Sequence, residues 1–290
     1  MLQVNELAKC ISFHSYKGGT GKTTLAANFS FLLASRGYSV YLLDLDFYAP
    51  SIYSYFNFEP KYWINDYLKG NAKLDDIMVD SSNFLNESVK GELKVGFSRG
   101  GKEDIYQLEG SILNDREQQV KQFRNFIAMR EDLLVTKNAD FIVMDTSPGI
   151  RYWSINSIVI SDIVLLTLKM GDLDLKGTIK MIREIYGSLI EHGAVCKLLL
   201  NRVSGYCVPT TNLEPGSIQI TEDDSFFKKK IDLEIAKIFN KSSNIDTLLE
   251  IPCYCDIQFK EKEFLTTREY PSHPFTRKIY NLASKVEEIS

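Results

Sequence analysis

A doubly wound α/β fold, with a mostly parallel sheet flanked by helices on both faces, is predicted by three features of the sequence. Short, unbroken apolar runs recur along the chain, they alternate with amphipathic segments of helical period, and turn residues separate the two. Strands covered on both faces lose the polar–apolar alternation of a half-exposed sheet, so unbroken runs point to parallel strands between two helical layers.

The predicted strands lie at residues 11–14, 40–43, 93–97, 141–144, 163–168, 197–200 and 248–251. After the first, Leu25, Phe29, Leu32 and Leu33 share one face of a helix; later, Leu175, Ile179, Ile182, Tyr186 and Leu189 share another. Residues 53–91, rich in Tyr, Phe, Asn and Asp, read as short helices and loops. Residues 116–136 read as a crossover helix with Val120, Phe123, Ile127 and Leu134 aligned. Residues 206–244 carry Pro209, Pro215, Gly216 and a lysine triplet at 228–230, and read as an insertion between the last two strands. The stretch 271–275, with Pro271 and Pro274, makes a rigid entry to a last helix, on which Ile279, Leu282, Ala283 and Val286 align. Its polar face mixes Glu287 and Glu288 with Arg277, Lys278 and Lys285, which suits a core-covering helix better than a membrane anchor. One domain, 1–290, accounts for the whole pattern.

Bulk composition narrows the function classes. With 44% hydrophobic and 25% charged residues the chain can bury a full core. No run of 18 or more apolar residues occurs, and Glu6 and Lys9 near the start do not resemble an export leader, so a cytoplasmic protein is expected. A net charge of -4 argues against DNA or anionic lipid as the main partner; the lysines at 228–230 stand beside Glu222, Asp223 and Asp224 and read as a solvated loop. Five cysteines form no regular framework and are expected to be reduced thiols. Cys253 and Cys255 could pair as metal ligands across a dimer, though two small buried thiols is the simpler expectation; His14, His192 and His273 lack the spacing of a metal or catalytic set.

The strongest motif is the run 15–24, Ser-Tyr-Lys-Gly-Gly-Thr-Gly-Lys-Thr-Thr, lying directly after a strand and directly before an amphipathic helix. Gly18, Gly19 and Gly21 let successive backbone N–H groups around Thr20 turn inward on phosphate oxygens, and the helix opening at Lys22 aims its positive dipole end at the same anion. Lys22 is expected to neutralise the β- and γ-phosphates, Thr23 to ligate Mg²⁺, and Thr24 to lie near the α-phosphate. Position 16, glycine in the general G-x-x-x-x-G-K-[ST] pattern, is tyrosine here, and a second lysine, Lys17, follows it.

Two acidic motifs end later strands. Asp44 and Asp46 lie in the run 43–51, where open α/β sheets gather their ligands, and either aspartate could instead cap the helix opening near Pro50. The run 141–149 is an apolar strand ending in Asp145, suited to holding Mg²⁺ through water, followed by Thr-Ser-Pro-Gly. Asn201 ends a further strand; its amide can pair with the N6/N7 edge of adenine, and the Asp that a guanine reader would place at 204 is Ser, which favours ATP.

The segment KGGTGKTT at 17–24 resembles the deviant phosphate loop of the MinD/ParA family of P-loop ATPases, and the resemblance extends to both acidic motifs and to the Asn201 strand. It implies that Lys17 is a signature lysine reaching the partner's nucleotide in an ATP-dependent homodimer. It further implies that Asp46 orients the attacking water, that Asp44 lies near the Mg²⁺ shell, that the Gly149 N–H meets the γ-phosphate, and that Asn201 and Pro252 hold adenine. The family's activity would be a slow, partner-stimulated ATP hydrolysis that positions or partitions a cargo through a protein activator or cargo adaptor. Arg151, just past the second switch, could touch phosphate, partner or solvent. A metallocluster-assembly ATPase and a non-hydrolysing ATP-binding scaffold are the alternatives.

Overall fold

The computed structural model describes residues 9–86, 89–110, 116–169, 171–186, 194–203, 233, 245–258 and 260–289. The expected insertion at 206–244, its lysine triplet and His192 therefore lie outside the described residues, Leu233 aside.

The described strands are β1 (Lys9–His14), β2 (Ser39–Leu45), β3 (Met78–Asp80), β4 (Glu92–Gly96), β5 (Phe141–Thr146), β6 (Ile163–Leu168), β7 (Val195–Val203) and β8 (Asp246–Pro252). They form one sheet in the order β3-β4-β2-β5-β1-β6-β7-β8. Every pairing is parallel except β3 with β4. The predicted class is the observed one, and each predicted run falls within or against its strand. The short antiparallel β3, inside the region read as loops and short helices, is a strand the apolar-run criterion cannot find: three residues, half-buried to exposed, carry no period.

The longer helices are α1 (Lys22–Ser35), α2 (Arg116–Glu131), α3 (Tyr152–Val159), α4 (Asp172–Met181) and α5 (Pro274–Glu287). The α1 helix is apolar nearly all round and buried, because it lies between the sheet and α5. On α5, Ile279, Leu282, Ala283 and Val286 are all fully buried in the same cluster as α1, so the helix covers the core as expected. Its N-terminus is set by His273, which accepts the Phe275 N–H at 3.0 Å, with Pro274 as first helical residue. The inner face of α2 differs from the expectation. Phe126, Met129 and, in the π turn that continues the helix, Leu133 are buried, whereas Val120 and Ile127 are exposed. The buried stripe runs Gln122, Phe126, Met129 and Leu133 at ordinary helical spacing, and its polar first member hides it from a criterion built on apolar residues.

The crossover from β1 to β2 skips β5, so the chain turns in opposite senses on the two sides of β1. Such a switch point opens a crevice at the carboxyl ends of the strands. The motifs at 15–24, 44–51 and 145–149 all follow the carboxyl ends of β1, β2 and β5, three adjacent strands of the sheet.

Candidate functional site

The loop 15–21 leaves β1 and enters α1 through Gly21, whose φ of 89° and the φ of 73° at Gly19 are left-handed conformations that a Cβ would strain. A Cβ on Gly21 would also stand 2.5 Å from the Asn201 amide nitrogen. The first turn of α1 has neither a side-chain cap nor an acidic residue, so its N–H groups remain available to an anion. Lys22, the first residue of α1, is buried to 6% exposure.

The acidic residues divide into distinct jobs. Asp44 and Asp145 face each other across the β2–β5 ladder, and both are buried. Neither Asp145 oxygen has a hydrogen-bond partner at bonding distance, although the Thr23 hydroxyl and Lys22 stand close enough to favour the ionised form. Burial pushes the Asp145 carboxyl up to about 6. An orphaned buried carboxylate beside a threonine hydroxyl, at the foot of a glycine cradle, suits a hard divalent cation bound with phosphate. Thr23 itself accepts from the Ser51 hydroxyl at 3.4 Å.

Asp44 is otherwise engaged. One oxygen accepts the Asp46 N–H, and the other accepts the Ser51 and Ile52 N–H groups, each at 3.1 Å. The carboxylate thereby shapes the loop that Ser51 closes over Thr23, while it stands beside Asp145, the expected metal holder. Burial and the neighbouring Asp145 charge raise its carboxyl well above the usual range. Asp46 accepts the Ser147 hydroxyl at 2.8 Å and the Tyr48 and Ala49 N–H groups at 3.3 and 3.1 Å, all on one oxygen. The first acidic loop is therefore tied to the second through Ser147. The tie is doubled by the Arg151 guanidinium lying 4.4 Å from the Tyr48 ring centre, and by the edge-to-face contact of Phe47 with Trp153.

Two further expected site residues bond within the chain in this structure. The Gly149 N–H, expected to meet phosphate, donates to the Ser15 carbonyl at 2.8 Å, with φ of 76°. Asn201, expected to read adenine, donates its amide to the Thr20 carbonyl at 2.7 Å and accepts the Arg202 N–H at 3.0 Å. The first of these bonds holds the phosphate loop against β7. Arg202, held at φ 57°, reaches the Gly19 carbonyl at 3.3 Å. Gly21, Thr24, Asn201, Arg202 and Pro252 line one cleft, walled on the far side by Tyr254, Lys260, Lys262 and Glu263. The cleft continues the phosphate cradle and brings Asn201 and Pro252 together.

Lys17 forms an ion pair with Asp174 of α4 at 3.4 Å. Tyr55 donates to the Thr24 hydroxyl at 2.9 Å. Neither Asp174 nor Tyr55 belongs to a motif; both reach the loop through folds in the chain that spacing does not reveal. Ser147 sits inside a recognised motif and carries a hydroxyl, so its bond to Asp46 had a visible signal. His14, behind the loop, hydrogen-bonds the Thr146 hydroxyl at 2.7 Å, and burial beside Lys22 pushes its imidazole down to about 3, leaving it neutral and structural as expected.

The cysteines correct the composition reading. Cys255 is disulfide-bonded, and the half-buried Cys253 thiol donates to Gln258 Oε1 at 3.1 Å, so the two are not a pair of small buried reduced thiols. Among the described residues no three His, Cys, Asp or Glu side chains gather as a metal site, and no helix is long and apolar enough to cross a membrane.

The chain matches the AAA domain family over residues 8–192. It is 27% identical over 175 residues to a putative replication protein A of Rhizobium rhizogenes, covering 58% of this chain and 42% of that protein. It is 30% identical over 185 residues to an iron-sulfur cluster carrier protein of Aquifex aeolicus, covering 60% and 44%. The chain thus spans less than half the length of these relatives. Among solved structures it is similar to the cell division ATPase MinD of Pyrococcus furiosus, with a TM-score of 0.66 and 20% identity over 98% of this chain and 100% of that one. It is also similar to the septum site-determining protein MinD of Pyrococcus horikoshii complexed with Mg-ADP, with a TM-score of 0.64 and 20% identity over 97% and 96%. The chain therefore belongs to this AAA domain family, in the MinD/ParA form of the P-loop ATPase fold.

Proposed function

We propose that the protein is an Mg²⁺-dependent ATPase, monomeric or weakly associated with ADP and closing face to face as a homodimer with ATP, that positions or partitions a cellular cargo. The observation that carries this is Asp145, whose buried, unpartnered carboxylate stands beside Thr23 and Lys22 under the glycine cradle. Lys22 and the amides of Gly18, Gly19, Thr20 and Gly21 bind the phosphates, and Thr24 closes the cradle towards the cleft holding the base. Thr23 and Asp145 hold Mg²⁺, which when bound neutralises charge on the phosphate oxygens. Asp46 orients the attacking water, and Ser147 fixes the rotamer of its carboxylate. Lys17 leaves Asp174 to reach the partner's phosphates once the dimer closes, which couples hydrolysis to assembly. The Gly149 N–H exchanges its Ser15 carbonyl for phosphate, so that loss of the phosphate returns the second switch loop. Turnover is slow until a protein activator or cargo adaptor binds. ATP and Mg²⁺ are cytoplasmic ligands, and the protein acts there.

Light scattering of Asp46→Ala with ATP tests the switch: a stable dimer is expected, and a monomer sinks the proposal. Phosphate release that survives Asp46→Ala unchanged would remove Asp46 from catalysis. The likeness to an iron-sulfur carrier supports a second reading, in which Cys253 and Cys255, once reduced, share a metal between subunits. Elemental analysis of the reduced dimer decides it, since absence of stoichiometric metal removes it.

A further inference from the structure

We propose that Tyr16 is a positioning residue whose ring, seated on Gly177, holds α4 against the phosphate loop so that Asp174 keeps the Lys17 ammonium on its own chain. Tyr16 stands where the general loop pattern has glycine. A side chain there must go somewhere, and the fold provides the space with a glycine of its own. Gly177 is buried in the interior of α4, a position where glycine is a poorer helix former than alanine, so a packing reason is required. A Cβ on Gly177 would lie 2.1 Å from both Cδ1 and Cε1 of Tyr16 and 2.8 Å from Cζ. No methyl group fits while the ring is in place.

Asp174 precedes Gly177 by three residues, so the two lie on one face of α4 about a turn apart. Adjacent loop residues thus grip two points of that face: Tyr16 packs on Gly177, and Lys17 pairs with Asp174 at 3.4 Å. The ring fixes where α4 stands, and the position of α4 fixes whether Asp174 reaches Lys17. The Asp174 carboxylate also acts on the Lys169 ammonium, so Lys17 shares it with a second cation. Lys17 is 43% exposed, which makes the pair weak enough to open readily. Any contact Lys17 makes outside its chain competes with this pair, and Tyr16 sets the terms of that competition.

The test reads Lys17 itself. The rate at which an amine-acylating reagent modifies Lys17 is followed by peptide mass spectrometry on the full chain, normalised to the distant Lys61. Gly177→Ala is expected to raise it about threefold, the scale of releasing a part-exposed ion pair. Tyr16→Gly, which restores the general loop pattern and adds no atom anywhere, should give the same rise should Gly177→Ala fold poorly. Tyr16→Phe should leave the rate unchanged, because the seat needs the ring and not the hydroxyl. In an Asp174→Asn background, already raised, Gly177→Ala should add nothing. An unchanged rate in both Gly177→Ala and Tyr16→Gly overturns the proposal, as does a rise that persists undiminished with Asp174→Asn.

A second arm rests on the proposed role of Lys17 in the dimer: the ATP-dependent association midpoint should fall about threefold in Gly177→Ala. If wild-type protein never associates with ATP while the acylation pattern holds, the dimer reading fails and the Tyr16 role stands. If association occurs but Lys17 reactivity ignores Tyr16 and Gly177, the reverse is true.

Discussion

The two ends of the parallel sheet treat charge in opposite ways. At the amino ends of the strands Lys9, Asp140 and Asp162 find partners within the fold. The Lys9 ammonium donates to the carbonyls of Val286, Glu287 and Ile289 at the end of α5, where the helix dipole favours a cation. Asp162 accepts the Cys10 N–H at 2.7 Å and pairs with Arg130 at 3.2 Å, and Asp140 accepts the Ser39 N–H at 2.8 Å. At the carboxyl ends, Asp44 and Asp145 face one another in the interior, and Asp145 has no hydrogen-bond partner. Charge satisfied by the fold is cement; charge left over by the fold costs stability and marks where something else binds.

Removing the charge at each end should therefore have opposite effects on stability. Asp145→Asn is expected to cut ATP turnover by about 100-fold or more, on the scale of losing a group that holds transition-state charge. Yet it should raise the thermal stability of nucleotide-free protein. A folded-state value of about 6 against an ordinary 3.8 means that, above pH 6, ionising Asp145 costs the fold on the order of 3 kcal/mol, which asparagine does not incur. Phosphate release and calorimetry on the same preparation check both halves, and a variant less stable than wild type breaks the comparison.

At the other end, Asp162→Ala strands the buried Cys10 N–H and should destabilise by about 2 kcal/mol in urea unfolding, with nucleotide affinity unchanged. A smaller effect sharpens the contrast within the carboxyl end itself. Because Asn201 holds the Thr20 carbonyl, Asn201→Ala should weaken nucleotide binding about tenfold, equally for ATP and GTP. Calorimetric titration that finds a loss for ATP alone would make Asn201 a base reader instead.

The smallest effect near neutrality is that of His14. Its folded-state value, about 3, lies below the ordinary 6.5, so the stability from burying it neutral is complete above pH 6.5 and is lost as pH falls towards 3. Relative to His14→Gln, wild type should lose about 1 kcal/mol by pH 6 and somewhat more for each further unit. Urea unfolding at several pH values gives the difference slope, and parallel curves for the two proteins would show that His14 charges freely in the fold.

Much of this end of the molecule could be read in the residues. The run 141–149 announces a buried strand ending in an aspartate because a parallel strand must be apolar on both faces until it leaves the sheet, and the one polar residue at its end is conspicuous. Glycines at 18, 19 and 21 announce the cradle because only they tolerate its backbone. Asp44 was harder. Its place at a strand end is visible, but whether its oxygens meet a metal or the amides of Ser51 and Ile52 depends on how the loop folds back over eight residues. The inner face of α2 was misread because its buried stripe includes the polar Gln122, whereas the apolar Val120 and Ile127 face outward.

Taken alone, the sequence determines the sheet class, the order of the motifs and the anion cradle, since hydrophobic period and glycine geometry act over a few residues and need no distant partner. Tertiary structure decides which side chains complete the site. Asp174 and Gly177 meet Tyr16 and Lys17 from about 160 residues away, and Asn201 meets Thr20 across 181. Those meetings follow from the parallel crossovers that carry β6 and β7 to one side of β1 and bring the carboxyl ends of distant strands to one crevice.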